Sequence, residues 1–501
     1  MKIISSSSMK NIDSFCINNL GIPGCVLMEN AALKVIKNLE LSKYNSFTII
    51  CGKGNNGGDG FAIARHLSVL GKSIKVFVIG DISKLKGDSK VNYKILQNMD
   101  MDIKNINSNE DIKTLKEEIL KTEVIIDAIF GTGLSRNVEG IYDVIISTIN
   151  EYSKFVVSVD VPSGINSDTG EILGNSVKAD KTISFQLYKK GFLNFNSKDF
   201  FGEIIVENIG IPEFIIDAFY ENEFLMDKYF IKNNIKVRNK YSHKGDFGKV
   251  SIVAGSDGFT GAAYISTQSA VRSGAGLVTL CCKKSIQNIL SEKLEEAMTA
   301  SYEDKDRFIE IIKKSNSIAI GPGMGNNENT FNILKCVITN SNCPLVIDAD
   351  GINVLSKGIS ILENKKNHIV ITPHLGEMAR ICNLDIEYIK NNKIKVAKDF
   401  AKEHDIIVLL KGYNTIITDG KSVFVNTTGN SAMASGGMGD CLTGIIASFI
   451  AQGYSALKSA YLGAYIHGYC GDILSKKMFC VNANHIINYI PFVIKNIENN
   501  F

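Results

Sequence analysis

The 501 residues include no tryptophan, no Cys-x-x-Cys pair, no uninterrupted apolar stretch of about 20 residues and no block of like charge. Each absence removes a class of function. Without the apolar stretch no membrane-spanning helix is expected, and Met1 to Asn11, although it carries four serines, lacks the apolar core and cleavage site of an export signal. Lys+Arg 55 against Asp+Glu 52 leave a formal net charge of +3, so no global basic field exists to draw DNA or RNA. The 11 cysteines are an odd number, and Cys51, Cys281, Cys282 and Cys470 lie inside apolar runs; they read as small buried hydrophobes in a reducing cytosol. The expected setting is the cytoplasm, with neither a membrane nor a nucleic acid as partner. The missing tryptophan, beside abundant Lys, Asn and Ile, looks like the codon bias of an AT-rich genome and speaks of ancestry rather than function.

What is present is ordinary for a globular chain, with 45% hydrophobic and 21% charged residues. The length exceeds what one core usually serves, so two domains are the default. Asn11-Ile-Asp-Ser at a helix start, Gly21-Ile-Pro-Gly24 and the apolar-periodic segment Val26 to Leu39 read as two helices joined by a turn. The short β-branched run Phe47 to Cys51 predicts a buried strand, the stretch Gly52-Lys-Gly-Asn-Asn-Gly-Gly-Asp-Gly60 a glycine-rich loop, Phe61 to Leu70 a helix, and Ile74 to Ile79 a second strand. That order is a right-handed crossover with its loop at the strand's carboxyl end, where ligands bind in such sheets. The loop does not fit the plain dinucleotide fingerprint, but its asparagines and Asp59 offer oxygens that can hold a ribose, a phosphate and a hard monovalent cation. Two further strand ends converge on the same edge: Val124 to Phe130 runs into Gly131-Thr-Gly-Leu-Ser-Arg-Asn137, and Phe155 to Asp160 into Val161-Pro-Ser-Gly-Ile165. A buried aspartate in a strand needs a partner, and three polar strand ends in one sheet predict one pocket, with Arg136 available for phosphate.

The boundary is placed between 216 and 234, giving domains 1–215 and 235–501. Beyond it, strand and helix signals alternate again. Strands are expected at Val250 to Ala254, Leu277 to Cys281, Ser317 to Ile320, Pro344 to Asp350, Ile369 to His374 and Ile406 to Gly412, a helix at Gly261 to Ser273, and a hairpin at Asn414 to Thr418 and Ser422 to Asn426 about Asp419-Gly420. Near the end stands Ser435-Gly-Gly-Met-Gly-Asp-Cys-Leu-Thr-Gly444, leading into a helix over Met438 to Ala451. Glycines before a helix let the backbone approach a ligand, and the first N–H groups of the helix are unpaired, which makes an anion site. Phosphate would repel Asp440 in that turn, so its presence there points to a base.

In the first half, Gly-Asn-Asn-Gly-Gly-Asp-Gly, Ile-Asp-Ala-Ile-Phe-Gly-Thr-Gly-Leu and Ser-Val-Asp-Val-Pro-Ser-Gly resemble the NAD(P)H-hydrate epimerase family over about residues 1 to 215, which implies a Rossmann-like three-layer α/β/α domain. The resemblance implies that Asn55, Asn56, Gly57, Gly58 and Asp59, together with Gly131, Thr132, Gly133, Leu134, Ser135, Arg136, Asn137, Tyr142 and Asp160, hold the hydrated nucleotide, with Asp160 as acid/base. It implies further that Asn56, Asp127 and Ser163 coordinate K⁺. In the second half, His-Lys-Gly-Asp-Phe-Gly, Gly-Pro-Gly-Met-Gly, Asp-Ala-Asp-Gly, Thr-Pro-His-x-Gly-Glu and Ser-Gly-Gly-Met-Gly-Asp resemble the ADP-dependent NAD(P)H-hydrate dehydratases, a ribokinase-like α/β family, over about residues 235 to 495. By that resemblance Ala263, Gly325, His374 and the base Asp440 contact the hydrated nucleotide. Lys411, Gly412, Tyr413, Asn414, Thr415 and Gly439 would bind ADP, with Mg²⁺ on the nucleotide. Both families occur fused in this order. The implied substrates are hydrated NADH and NADPH with ADP, and a homo-oligomer is expected. The competing expectation is a ribokinase-like kinase of a small alcohol or vitamin precursor fused to a non-catalytic binding domain.

Overall fold

Apolar residues fill consecutive positions of the first strands, as they must where both faces of a parallel sheet are covered. In chain order the strands of the first half are β1 (Ile3–Ile4), β2 (Ser46–Cys51), β3 (Ser73–Ile79), β4 (Ile103–Ile106), β5 (Val124–Ala128), β6 (Val156–Val159), β7 (Lys181–Phe185), β8 (Tyr188–Lys189) and β9 (Glu203–Glu207). The computed structural model describes residues 1–499, and in it seven of these strands form one parallel sheet in the order β4-β3-β2-β5-β6-β7-β9. Successive side chains enter different cores: Ile49, Cys51, Val76, Val78 and Ile126 pack on one face, and Ile50, Phe77, Ile79 and Ile125 on the other. The first core takes in Met9 and Ile12 of α1 (Ser6–Asn18), Leu27 and Ala31 of α2 (Gly24–Asn38) and Phe61 and Ile63 of α3 (Asn55–Val69). Strand order reverses between β2 and β5, because the chain runs outward through β3 and β4 and then resumes on the other side. A crevice opens at such a switch point beyond the carboxyl ends of the strands.

The glycine-rich stretch differs from its expected form. Only Gly52, Lys53 and Gly54 form a loop; α3 begins at Asn55 and includes Gly57, Gly58 and Gly60. Packing explains this. A Cβ on Gly57 would strike the carbonyl oxygen of Gly52, and one on Gly58 would lie 2.6 Å from Cε of Met28 in α2, so the first turns of α3 can seat on β2 and α2 only without side chains there.

The chain divides into two compact units, Met1–Glu221 and Asn222–Phe501. Residues 216–234, expected as a linker, carry the end of the helix Glu213–Phe219, strand β10 (Glu223–Leu225) and the helix Lys228–Lys232. The second unit continues with β11 (Lys249–Val253), β12 (Leu277–Cys282), β13 (Met298–Ser301), β14 (Ser317–Ile320), β15 (Leu345–Ile347), β16 (Ile369–Ile371), β17 (Ile407–Leu410), β18 (Thr415–Thr418) and β19 (Val423–Asn426). Its ten strands are ordered β10-β19-β18-β17-β16-β15-β14-β11-β12-β13, parallel throughout except for the β17-β18 and β18-β19 pairs. Here the order reverses between β11 and β14. The helix Met438–Ala451 packs closely on the helix Thr260–Arg272, with Gly444 over the Ser266 carbonyl.

Candidate active sites

At the switch point of the first unit the segments after β2, β5 and β6 meet. A cleft of about 1130 Å³ opens there, lined by Asn55, Asn56, Asp59, Gly131, Thr132, Gly133, Leu134, Ser135, Arg136, Tyr142 and Asp160 among others. Of the residues expected to hold substrate, Gly57, Gly58 and Asn137 are not among those lining it. The N–H groups of the first turn of α3 point out of the helix beside the cleft with no side-chain cap, which favours an anion.

Asp160 directly follows β6 with φ +66°, a left-handed conformation that a non-glycine residue holds only when its surroundings impose it. One carboxylate oxygen, Oδ1, takes three donors: Phe185 N–H at 3.1 Å, Ser184 Oγ at 3.2 Å and Lys189 Nζ at 3.1 Å. The carboxylate is thereby oriented, and its other oxygen is left for a ligand. Lys189 is 1% exposed and also donates to the carbonyls of Phe185 at 2.7 Å and Leu187 at 3.3 Å. Sequence reading missed it, because its neighbour Lys190 has the same chemistry and only the parallel β1-β8 pair turns Lys189 inward.

Beneath the cleft Asp127, wholly buried, accepts from Ser158 Oγ at 2.8 Å and Ser163 N–H at 2.9 Å on one oxygen, and from Ser163 Oγ at 2.5 Å and Ile129 N–H at 3.3 Å on the other. Burial still holds its carboxyl above the ordinary value, against the pull of the Ser163 and Ser158 hydrogen bonds. Ser163 Oγ in turn accepts from Phe130 N–H at 2.8 Å. Asn56 brings its amide close to Gly131, and the amide Nδ2 is buried without a partner. The oxygens of the Asp127 carboxylate, the Ser163 hydroxyl and the Asn56 amide, gathered at a buried acidic group, suit a hard monovalent cation; the unpaired Asn56 Nδ2 is a donor and is not a ligand for it.

In the second unit, Asp440 lies in the first turn of the helix Met438–Ala451, whose N-cap Gly437 has φ +86°. Burial first, then the charges of Asp348, Asp350 and Glu377, push its carboxyl up to about 6, with Lys411 opposing. Lys411 follows β17 and donates from Nζ to Asp348 Oδ1 at 2.7 Å; Thr443 Oγ1 donates to Asp348 Oδ2 at 2.7 Å. Burial alone would raise the Asp348 carboxyl, but the Lys411 ammonium and these hydrogen bonds hold it below the ordinary range. A Cβ on Gly439 would sit 3.1 Å from Lys411 Nζ, so the helix start approaches the ion pair closely because that residue has no side chain. Asp348 belongs to the Asp-Ala-Asp-Gly motif and Thr443 to the stretch Ser435 to Gly444, but neither has a site role legible in the sequence, since an aspartate after a strand and a threonine in a helix signal little until the fold joins them.

The other expected residues behave variously. Gly325 donates its N–H to Asp350 Oδ2 at 2.7 Å. His374 caps the helix Leu375–Cys382, its Nδ1 accepting from Gly376 N–H at 3.0 Å and Glu377 N–H at 3.2 Å, which leaves the proton on Nε2. Ala263 is fully buried, its methyl against Gly255. Gly412, Tyr413 and Asn414 form the turn between β17 and β18, with Thr415 Oγ1 closing on the Gly412 carbonyl at 2.9 Å. Among the described residues no group of three His, Cys, Asp or Glu side chains is placed to hold a metal, and no helix is long and apolar enough to cross a membrane.

A family model described as YjeF-related protein N-terminus matches residues 24–191, and one described as NAD(P)H-hydrate dehydratase matches residues 250–492. Among solved structures, a ribokinase-like superfamily protein from Enterococcus faecalis V583 is 30% identical at a TM-score of 0.51, covering 56% of this chain and 97% of its own. The ADP/ATP-dependent NAD(P)H-hydrate dehydratase from Bacillus subtilis, co-crystallised with ATP/Mg²⁺, is 26% identical at a TM-score of 0.50, covering 54% of this chain and 98% of its own. The bifunctional NAD(P)H-hydrate repair enzyme Nnr of Moorella thermoacetica is 34% identical over 99% of this chain and 97% of its own, and that of Dictyoglomus turgidum 35% identical over 99% of each. These full-length matches do not favour the small-alcohol kinase expectation. With both units matched in order and over nearly its whole length, the chain belongs to the bifunctional NAD(P)H-hydrate repair enzyme family.

Proposed function

We propose that the chain repairs hydrated nicotinamide nucleotides in two steps. The first unit exchanges the R and S configurations at C6 of hydrated NADH and NADPH; the second dehydrates the S form at the expense of ADP, giving NADH or NADPH, AMP and phosphate. The reading is carried by the pairing, in a chain of this family, of two sites at the carboxyl ends of strands that each combine a carboxylate with a helix N-terminus: Asp160 and the start of α3 lining one cleft, and Asp440 within the first turn of its own helix.

In the first unit, Asn55, Asn56, Asp59, Gly131 to Arg136 and Tyr142 bind the nucleotide, with Arg136 and the start of α3 against its phosphates, while Asp160 moves a proton at the ring hydroxyl; Gly57 and Gly58 serve by letting α3 seat closely. K⁺ would be held by Asn56, Asp127 and Ser163, where its charge would compensate the buried carboxylate and tie together the segments after β2, β5 and β6.

The second unit faces a different difficulty. A ring hydroxyl is a poor leaving group, and phosphorylation makes its departure easy. Asp440 takes the hydroxyl proton as the oxygen attacks the terminal phosphate of ADP, and the N–H groups around Gly436 to Gly439 stabilise charge on the phosphoryl oxygens. Phosphate then leaves and the ring double bond returns. Gly325 and His374 contact the hydrated nucleotide, while Lys411 to Thr415 and Gly439 contact ADP; Ala263, with no exposed surface, packs behind the site against Gly255. The carboxylates here suit Mg²⁺ chemically, but one is tied to Lys411 and another serves as base. Mg²⁺ would therefore arrive on the nucleotide phosphates and neutralise their charge.

The test is incubation of the protein with the R/S mixture of hydrated NADH, with and without ADP, following NADH absorbance and AMP together. Expected is full recovery of NADH with ADP, equimolar AMP, and none without a nucleotide. A stable phosphorylated product with no NADH regained would sink the proposal in favour of a small-alcohol kinase.

A further inference from the structure

Five aspartates line the first unit's cleft, Asp88 and Asp168 among them; of these, Asp13 of α1 and Asp59 of α3 lie within reach of the charge of Asp160, which is paired with the buried ammonium of Lys189. Asp13 lies ahead of the residues matched by the N-terminal family model, 24–191. α1 is nonetheless held firmly at the cleft. β1 pairs in parallel with β8, with Ile4 opposite Lys189, and the serines that follow are anchored: Ser6 N–H donates to Asp168 Oδ1 at 2.6 Å, while Ser5 Oγ and Ser8 Oγ donate to Glu221 at 2.6 and 2.8 Å. Asp13 itself accepts no hydrogen bond from another described residue and shares the cleft wall with Asp160 and Lys189. The serine-rich start, unremarkable as sequence, is thus a clamp that holds one acidic side chain at the site. Three carboxyl groups cannot all ionise beside one ammonium without cost, so a proton is retained among them. Burial, and next to it the Asp160 charge acting against Lys189, raise the Asp13 carboxyl to about 6, which suits it to give up or take a proton near neutrality.

We propose that Asp13 is the second acid/base residue of the epimerisation, acting on the face of the nicotinamide ring opposite Asp160. This rests on the epimerase reading above. Inversion at C6 by loss and return of water needs a proton-transfer group on each face. On one face a carboxylic acid gives its proton to the departing hydroxyl; the C6–O bond breaks, water leaves, and the ring N1 lone pair becomes the second bond of an N1=C6 iminium. On the other face a water oxygen bonds to C6, the pair returns to N1, and a carboxylate takes the proton that water releases. Asp160 and Asp13 exchange roles with direction, and the proton balance closes over one turnover.

The full-length protein with Asp13→Asn, Asp13→Glu or no substitution is tested for R-to-S exchange of hydrated NADH by chromatography, with kcat and KM determined separately. Expected is a fall in kcat of about 10²-fold or more for Asp13→Asn at a KM within about threefold of the unsubstituted protein, partial recovery in Asp13→Glu, and an unchanged or higher melting temperature, since no hydrogen bond is lost. A normal kcat in Asp13→Asn, or a loss that lies wholly in KM and is not recovered by glutamate, overturns the role of Asp13. An unsubstituted protein that does not exchange the epimers overturns the epimerase reading itself, and so the two failures are distinct.

Discussion

Asp160 follows a strand and Asp440 begins a helix, each with other acidic groups nearby, yet their surroundings hold them differently. Asp160 has one oxygen saturated by three donors, and Asp160→Asn retains most of that shape while losing the proton; exchange of the epimers is expected to slow by about 10²-fold or more with binding little affected. Asp440 is raised to about 6 by burial and by acidic neighbours. As a base it must be ionised, so dehydratase kcat/KM should climb with pH through about 6 and level off above, and Asp350→Asn, by removing one negative neighbour, should move that limb to lower pH. A carboxyl raised on folding stabilises the fold below its unfolded value, and that contribution is lost as pH rises through about 6. Asp440→Asn is therefore expected to melt higher than the native protein at neutral pH, while Asp440→Ala loses at least about 10²-fold in NADH recovery and still binds adenine nucleotide. A native-like rate in Asp440→Ala would remove it as the base.

At the scale of elements, both sites depend on a helix start placed against a strand end by missing side chains. The fit at α3 is tight because the atom facing Gly57 is the backbone carbonyl of Gly52, which has no rotamer to escape into. Gly57→Ala should lift the start of α3, destabilise the first unit by about 1–3 kcal/mol and cripple epimer exchange. ADP-dependent recovery of NADH from the S form, which uses the second unit, provides the comparison; an unperturbed epimerase in this variant would show that α3 need not seat closely. The motif was legible in the sequence as a ligand segment but not as a helix, because glycines lower helix propensity and only the contacts with β2, α2 and β5 reverse that preference.

For the molecule as a whole, the division after Glu221 sharpens where the units can be cut. β10 is the edge strand and pairs with β19, Phe224 stacks on Phe424 at 5.3 Å, Phe230 meets Tyr461 at 5.2 Å, and Tyr461 OH donates to Asn234 at 3.0 Å. A fragment 222–501 should thus fold and use the S epimer with ADP. A fragment beginning at 235 loses these contacts and bares the edge of β19, so it should melt lower or aggregate. Equal melting temperatures for the two fragments would show that β10 and the helix after it are dispensable.

Local chemistry and periodicity by themselves determined that this chain builds two α/β sheets, that polar strand ends mark one site in each, and that Asp440 sits where a helix begins. Those features depend on neighbours within a few residues: β-branched runs make strands, unpaired N–H groups follow from any helix start, and a glycine-aspartate turn carries its charge with it. Tertiary structure alone decided which distant groups meet. Asp348 reaches Lys411 and Thr443 across 63 and 95 residues, and Lys189 reaches Asp160 where β8 lies against β1 and its side chain is buried. Burial and charge pairing are properties of the packed interior, so they set the carboxyl groups of Asp13, Asp59 and Asp440 above their ordinary range in a way no spacing along the chain records.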